Sequence, residues 1–189
     1  MPRELPALTT RRMVLRLATS ADIPAILAYF TANQQRLAPF SPIRPASFFT
    51  EAFWQEQIAQ NHDDFHNDRS LRLCIFDRAA PQTMIGDANF NGFMRGVGQF
   101  CYLGYSIAAA YQGRGYMTEA LETAIRYVFD ELHMHRIMAN YLPHNQRSGR
   151  LLRKLGFVVE GYARDYLLID GSWQDHILTS LTNPNWTPG

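Results

Sequence analysis

The chain has 189 residues, 47% of them hydrophobic and 13% aromatic, enough to bury one substantial core without calling for a second domain. A formal net charge of +1 gives no general attraction for nucleic acid, whose binders carry a pronounced basic surface, and no apolar run approaches the length needed to cross a bilayer. Cys74 and Cys101 are too few and too dispersed for a disulfide framework or a metal knuckle, and the opening MPRELPALTTRR lacks the apolar run of a signal peptide, so the expectation is a soluble cytoplasmic protein with buried thiols.

Strands and helices alternate along the chain. RRMVLRL predicts a first strand, and Ser20 an N-cap for a helix whose Ile23, Ile26, Leu27 and Phe30 keep helical spacing, with Pro24 in its first turn. LAPFSPIRP is too proline-rich for regular structure, after which Thr50 caps a second helix carrying Phe53, Trp54 and Ile58. LRLCIFD, TMIGDANFNGF and QFCYLGYSI read as three strands joined by RAAPQ and MRGVG, turns short enough for antiparallel neighbours. In the next helix Met117, Ala120, Leu121, Ala124, Ile125, Val128, Phe129 and Leu132 recur at intervals of three and four, forming one apolar stripe. RIMANYLP predicts a strand, a short helix runs to Leu155, and Asp170-Gly171 joins two final strands in a hairpin. The expected class is α/β, with one domain over residues 1–189. Its single mixed, mostly antiparallel sheet has about seven strands, flanked by about four helices.

Chemistry concentrates where the long helix begins. In YQGRGYMTEA two glycines flank Arg114 immediately before the helix, whose first N–H groups have no intrahelical acceptor. Glycine lets backbone approach an anion closely, the helix dipole favours negative charge, and the guanidinium adds a charged fork. A nucleotide-hydrolase loop requires a Gly-Lys-Ser/Thr ending, which is absent, and a dinucleotide fingerprint requires glycine where Thr118 stands. The fitting pattern is Gln-x-x-Gly-x-Gly/Ala, met by Gln112 and Gly115 and imperfectly by Met117.

With this loop, PHNQRSGRLLRKLGF after the following strand resembles the GNAT superfamily of N-acetyltransferases, and the resemblance spans nearly the whole chain. CYLGYSI, HRIMANYLPHN and GYARDYLLIDG are similar to the branch that acetylates the N-terminal residue of ribosomal proteins. The resemblance implies acetyl-CoA as co-substrate and no metal, with a ribosomal-protein N-terminal α-amine, alanine foremost, as acceptor. It implies a coenzyme site at Ile107, Gln112, Gly113, Arg114, Gly115, Tyr116, Met117 and Thr118, with Asn145 holding the pantetheine through its amide. Many family members protonate the departing thiolate with a tyrosine whose aligned position here is Leu152. Ser148, one turn earlier on the same face, is the candidate that replaces it, and a hydroxyl near a helix start also bonds to local backbone.

On a helical wheel Ser148, Leu151, Leu152 and Leu155 share a dry side, expected to face the thioester arm, and Arg147, Arg150, Arg153 and Lys154 a charged side. Arg147 and Arg150 are candidate partners for the adenosine 3′-phosphate. Gly104 hints at a bulge that frees a backbone N–H to polarise the thioester carbonyl. Asp87, Glu160 and Asp165 are the candidate bases, alongside a water chain. Tyr162, Tyr166, Trp173 and His176 either line an acceptor groove or fill the core.

HDDFH at 62–66 imitates a zinc-protease motif, but it sits in polar, loop-like text with no third ligand. His133 and His135, near a helix end, read as structural. Three functions stay open: an N-terminal protein acetyltransferase, the same fold acting on a small amine such as an amino acid, polyamine or drug, and a non-catalytic acyl-CoA-binding or ribosome-associated module.

Overall fold

The computed structural model describes residues 4–188, so Met1, Pro2 and Arg3 of the opening stretch and Gly189 lie outside the described residues. A hairpin comes first: β1 (Ala7–Thr9) pairs antiparallel with β2 (Met13–Arg16), Leu8 opposite Leu15. Thr10 Oγ1 accepts from Met13 N at 2.9 Å and closes the turn. Only β2 is predicted from sequence, because a three-residue strand is too short to display alternation.

A single 3-10 turn, Ser20–Asp22, leads into α1 (Ile23–Leu37), with Pro24 in the first turn. Thr19, not Ser20, stands at its front: Asp22 Oδ2 accepts from Thr19 N at 2.7 Å and from Thr19 Oγ1 at 2.9 Å, a closure Ser20 is one position too late to make. α2 (Glu51–His66) starts after Thr50, whose Oγ1 accepts from Phe53 N at 3.3 Å. The helix continues through HDDFH, expected as loop, because buried Trp54, Ile58, Asn61 and Phe65 form a stripe that outweighs the polarity of the residues between them.

Besides short 3-10 turns at Ala38–Phe40, inside the proline-rich stretch, Ala46–Phe49 and Ala109–Tyr111, the remaining elements are β3 (Leu71–Asp77), β4 (Ala80–Met94), β5 (Phe100–Ile107), α3 (Tyr116–Asp130), β6 (Arg136–Tyr141), α4 (Gln146–Lys154), β7 (Val158–Ile169) and β8 (Ser172–Thr182). They form one sheet of eight strands, β1-β2-β3-β4-β5-β6-β8-β7, the eighth being β1. Every pairing is antiparallel except β5 with β6, which is parallel and runs only from Phe100 opposite Arg136 to Tyr102 opposite Met138. Beyond those residues the two strands part.

Alternate residues of the strands feed two cores. Leu71, Leu73 and Ile75 of β3 pack with Met117, Ala120, Leu121, Ala124, Ile125 and Val128 of α3 and Leu152 of α4. Phe76 packs on the other face with Ile23, Ile26, Tyr29 and Phe30 of α1 and Trp54 and Ile58 of α2. Helices α3 and α4 thus cover one face, α1 and α2 the other, and the parted strands open between them.

Candidate active site

The loop between β5 and α3 has the backbone its glycines predict. Gly113 and Gly115 take φ of 71° and 76°, a left-handed conformation that side chains rarely adopt. Gln112 N donates to Ala109 O at 3.2 Å and Glu119 N to Gly115 O at 3.1 Å; among the described residues no N–H from Gly113 to Thr118 has a hydrogen-bond acceptor. Six consecutive donors are therefore left without a partner where the helix starts, with no Cβ on either glycine to shield them.

Arg12, at the tip of the β1–β2 hairpin, braces this loop. Its Nε donates to Glu119 Oε2 at 2.7 Å and its Nη1 to Arg114 O at 3.0 Å, while its guanidinium lies 3.9 Å from the centroid of the Tyr116 ring. No motif marked this residue, since the contact joins positions 107 apart in the chain. Arg114 is exposed and donates to Ala110 O at 3.3 Å, and Arg147 of α4 donates to Gln112 Oε1, linking α4 to the loop. Ile107 ends β5, and its carbonyl accepts from Arg36 Nη2 at 2.6 Å.

Asn145 caps α4: its Oδ1 accepts from Ser148 N at 3.1 Å, which commits the amide oxygen and leaves the amide nitrogen for a ligand. Ser148 Oγ lies 2.6 Å from Tyr105 Oη. Burial pushes the Tyr105 phenol up to about 12, against the opposing pull of the Ser148 hydrogen bond, so it stays protonated. The leucines of α4's dry side are taken up by the core, which leaves its Ser148 end for a ligand. Leu152 is only 1% exposed and packs into the α3-side core, with Leu151 and Leu155 partly buried against it, because an amphipathic helix beside a sheet has a core to cover.

On the opposite face, Ser106 Oγ donates to Asp87 Oδ1 at 2.6 Å and lies 2.8 Å from Tyr29 Oη. Of the other two candidate bases, Glu160 is tied to Arg136 and accepts from Ser180 Oγ at 2.9 Å, and Asp165 offers its backbone N–H to Asp175 Oδ1 at 2.8 Å on exposed β7. Gly104 is not at a bulge: it pairs in register with Asn89, between Leu103 opposite Phe90 and Tyr105 opposite Ala88. What detaches β5 from its other neighbour is the parting of β5 and β6 beyond Tyr102.

Tyr162 and Trp173 are exposed, His176 is buried, and Tyr166 Oη accepts from Asn140 Nδ2 at 3.4 Å, so groove and core share the four aromatic candidates. Among the described residues no three His, Cys, Asp or Glu side chains gather as a metal-ligand set. His62 Nε2 and His66 Nδ1 lie 2.7 and 2.8 Å from the carbonyls of Ala18 and His62. Among the described residues no helix is long and apolar enough to cross a membrane.

Residues 12–158 match the family model described as an acetyltransferase (GNAT) domain. The chain is 47% identical over 182 residues to the ribosomal protein uS5-alanine N-acetyltransferase of Escherichia coli, covering 96% of this chain and 93% of that protein. It superposes on the ribosomal-protein-S5-alanine acetyltransferase of Vibrio fischeri with a TM-score of 0.92 at 35% identity, over 97% of this chain and 100% of that one. Mycobacterium smegmatis RimJ, solved in complex with CoA-disulfide, gives a TM-score of 0.86 at 25% identity, over 100% of this chain and 91% of that one. With parted strands, a glycine loop opening a helix, and a family match over most of its length, the chain belongs to the GNAT acetyltransferase family.

Proposed function

We propose that the chain transfers acetyl from acetyl-CoA to the N-terminal α-amine of a ribosomal protein, alanine foremost, and that it acts as one domain in the cytoplasm. The observation that carries this reading is the 47% identity, over 96% of the chain, to a relative named for that reaction. The open acceptor side supports it: Tyr102, Tyr162 and Trp173 stay exposed along β5, β7 and β8, a surface suited to a peptide backbone.

Acetyl-CoA supplies a thioester whose carbonyl carbon accepts the amine. The N–H groups from Gly113 to Thr118 take the pyrophosphate, with Ile107 and the Gln112 side chain bordering it, and Arg114, Arg147 and Arg150 supply positive charge. Asn145 offers its free amide nitrogen to the pantetheine arm. A backbone N–H of β5 beyond Tyr102, released where β6 turns away, polarises the carbonyl. Ser148, oriented by Tyr105, gives its proton to the departing thiolate.

The demands on such a site are modest. An N-terminal amine has a pKa near ~8, so about a tenth is unprotonated at neutral pH, and a thiol ionises near ~8.5, so positioning contributes much of the rate. The test is thiol release from acetyl-CoA in the presence of alanine-initiated ribosomal-protein peptides and, separately, small amines. Turnover with the peptides is expected. Turnover with small amines alone overturns the acceptor assignment, and coenzyme binding without thiol release for any amine overturns catalysis.

A further inference from the structure

We propose that Ser106 is the group that receives the acceptor's amine proton, passing its own hydroxyl proton to Asp87 while Tyr29 holds the serine oxygen in place; this rests on the acetyltransferase reading above.

The geometry starts from two adjacent residues. Tyr105 and Ser106 project from β5 to opposite faces: Tyr105 reaches Ser148 on the α4 side, and Ser106 reaches Asp87 and Tyr29 on the α1 side. One strand therefore carries two hydroxyl networks, one toward the leaving group and one toward the acceptor, beside the place where β5 and β6 part. Ser106 is partly exposed, and Gly104, two residues earlier on the same face, leaves open space beside it. Behind Ser106 lie a carboxylate that accepts its proton at 2.6 Å and a buried phenol at 2.8 Å. Because Ser106 Oγ spends its hydrogen on Asp87, Tyr29 is the donor to Ser106, which fixes the serine lone pairs.

Asp87 has the features of a proton acceptor and not of a structural charge. Asp22, the buried carboxylate of the α1 front, is gripped by Arg16 with two contacts of 2.7 Å, whereas Asp87 forms no ion pair among the described residues. An enclosed carboxylate without a salt bridge is costly, and asparagine would accept the serine hydrogen without that cost. Asp87 lines a cavity of about 170 Å³ with Phe30, Arg44, Phe48, Trp54 and Asn89, room for several waters that can carry a proton away.

Arg44 faces Asp87 from the loop after α1, Tyr29 from α1 and Cys74 from β3, while Arg36 of α1 acts on Tyr29 and Arg72 of β3 lines the same cavity. Burial pushes the Asp87 carboxyl above the ordinary carboxylate range, against the pull of Ser106, Asn89 and Arg44. Burial likewise holds the Cys74 thiol and the Tyr29 phenol protonated, so neither competes for the proton.

The step balances. The amine lone pair forms the N–C bond as the C–S bond breaks, and the thiolate takes the Ser148 proton. The acceptor arrives mostly as ammonium: it loses its first proton to Ser106 Oγ as the serine hydrogen moves to Asp87 Oδ1, which frees the lone pair, and the proton released once the N–C bond has formed goes to water. Asp87 then releases that proton to cavity water, and solvent reprotonates the Ser148–Tyr105 pair.

The experiment is kcat/KM for an alanine-initiated peptide from pH ~6.5 to ~9, spanning the amine's own titration. Asp87→Asn and Ser106→Ala are each expected to lose roughly 100-fold at the low end, the gap closing as free amine accumulates, with acetyl-CoA affinity by calorimetry unchanged. Ser106→Thr, which keeps a hydroxyl, retains most activity. No loss, or a loss of equal size at every pH, overturns the relay. Should Asp87→Asn fail to fold, Ser106→Ala carries the same pair of outcomes. If wild type rejects the peptide but releases thiol with a small amine, the acceptor assignment fails and the relay is read with that amine; if no amine is turned over, both fall.

Discussion

Tyr105 Oη and Ser148 Oγ sit 2.6 Å apart, joining β5 to the first turn of α4 across 43 residues of sequence. The phenol is partly buried and stays protonated, so it reloads or orients the serine hydroxyl without competing as an anion. Ser148→Ala is expected to lower kcat by roughly 10- to 100-fold while acetyl-CoA affinity stays near wild type. Tyr105→Phe, which leaves the serine in place, should lose less. Steady-state kinetics beside calorimetry decides, and a Ser148→Ala enzyme as fast as wild type removes this hydroxyl from the mechanism.

Leu152 stands where many family members place the tyrosine acid, yet it is a core residue with 1% of its surface exposed. Leu152→Tyr should therefore not rescue Ser148→Ala. Forcing a larger polar ring into a filled core should instead cost about 1–3 kcal/mol, seen as a lower Tm. A double variant that regains activity would show that α4 can roll its dry side toward the coenzyme.

Gly115 combines a φ of 76° with a position among the unpartnered amides. Gly115→Asp should abolish acetyl-CoA binding, since aspartate strains the turn and sets negative charge against the pyrophosphate. Arg12→Ala should act more mildly, raising KM for acetyl-CoA roughly tenfold with kcat little changed, because it removes the brace from Glu119 and the Arg114 carbonyl and leaves the amides in place. Undiminished affinity in both variants by calorimetry would move the coenzyme away from this loop.

Asp22 and Arg16 set the acid limit of stability. Burial raises the Asp22 carboxyl, but the hydrogen bonds from Arg16 and from the Thr19 backbone and side chain outweigh it and hold the group below the ordinary carboxylate range. A carboxyl depressed in the fold contributes stability that is present above its unfolded pKa and lost as pH falls through the folded one. The Asp22 and Arg16 side chains are 8% and 30% exposed, so partial solvation limits the effect to about 2 kcal/mol. Urea melts of Asp22→Asn should show that loss at neutral pH and a shallower decline toward acid than wild type. Parallel acid profiles would rule out this pair as the cause.

How much of this was legible in the sequence depends on how far each signal reaches along the chain. The α3 stripe, the Thr50 cap and the Asp170-Gly171 hairpin turn were readable because their partners lie within a few residues. The HDDFH segment misled because polarity was weighed over a buried stripe whose members are up to four apart. Gly104 misled for a different reason: the glycine is in register, and the break in pairing comes from the neighbouring strand diverging. The spacing on α4 shows its apolar face but not that the leucines of that face cover the core, which the position of the helix beside the sheet decides.

The sequence by itself determined the order of strands and α-helices from β2 onward, the long helix and the glycine turn that opens it, since 3.6- and 2-residue periodicities and turn chemistry are local properties of the chain. Only the tertiary structure decided that Asp87, Ser106 and Tyr29 meet, that Arg12 reaches Glu119, and that β5 parts from β6. Those contacts bridge 19, 77 and 107 positions, and they depend on strand register and on which helix covers which face, which no local spacing encodes.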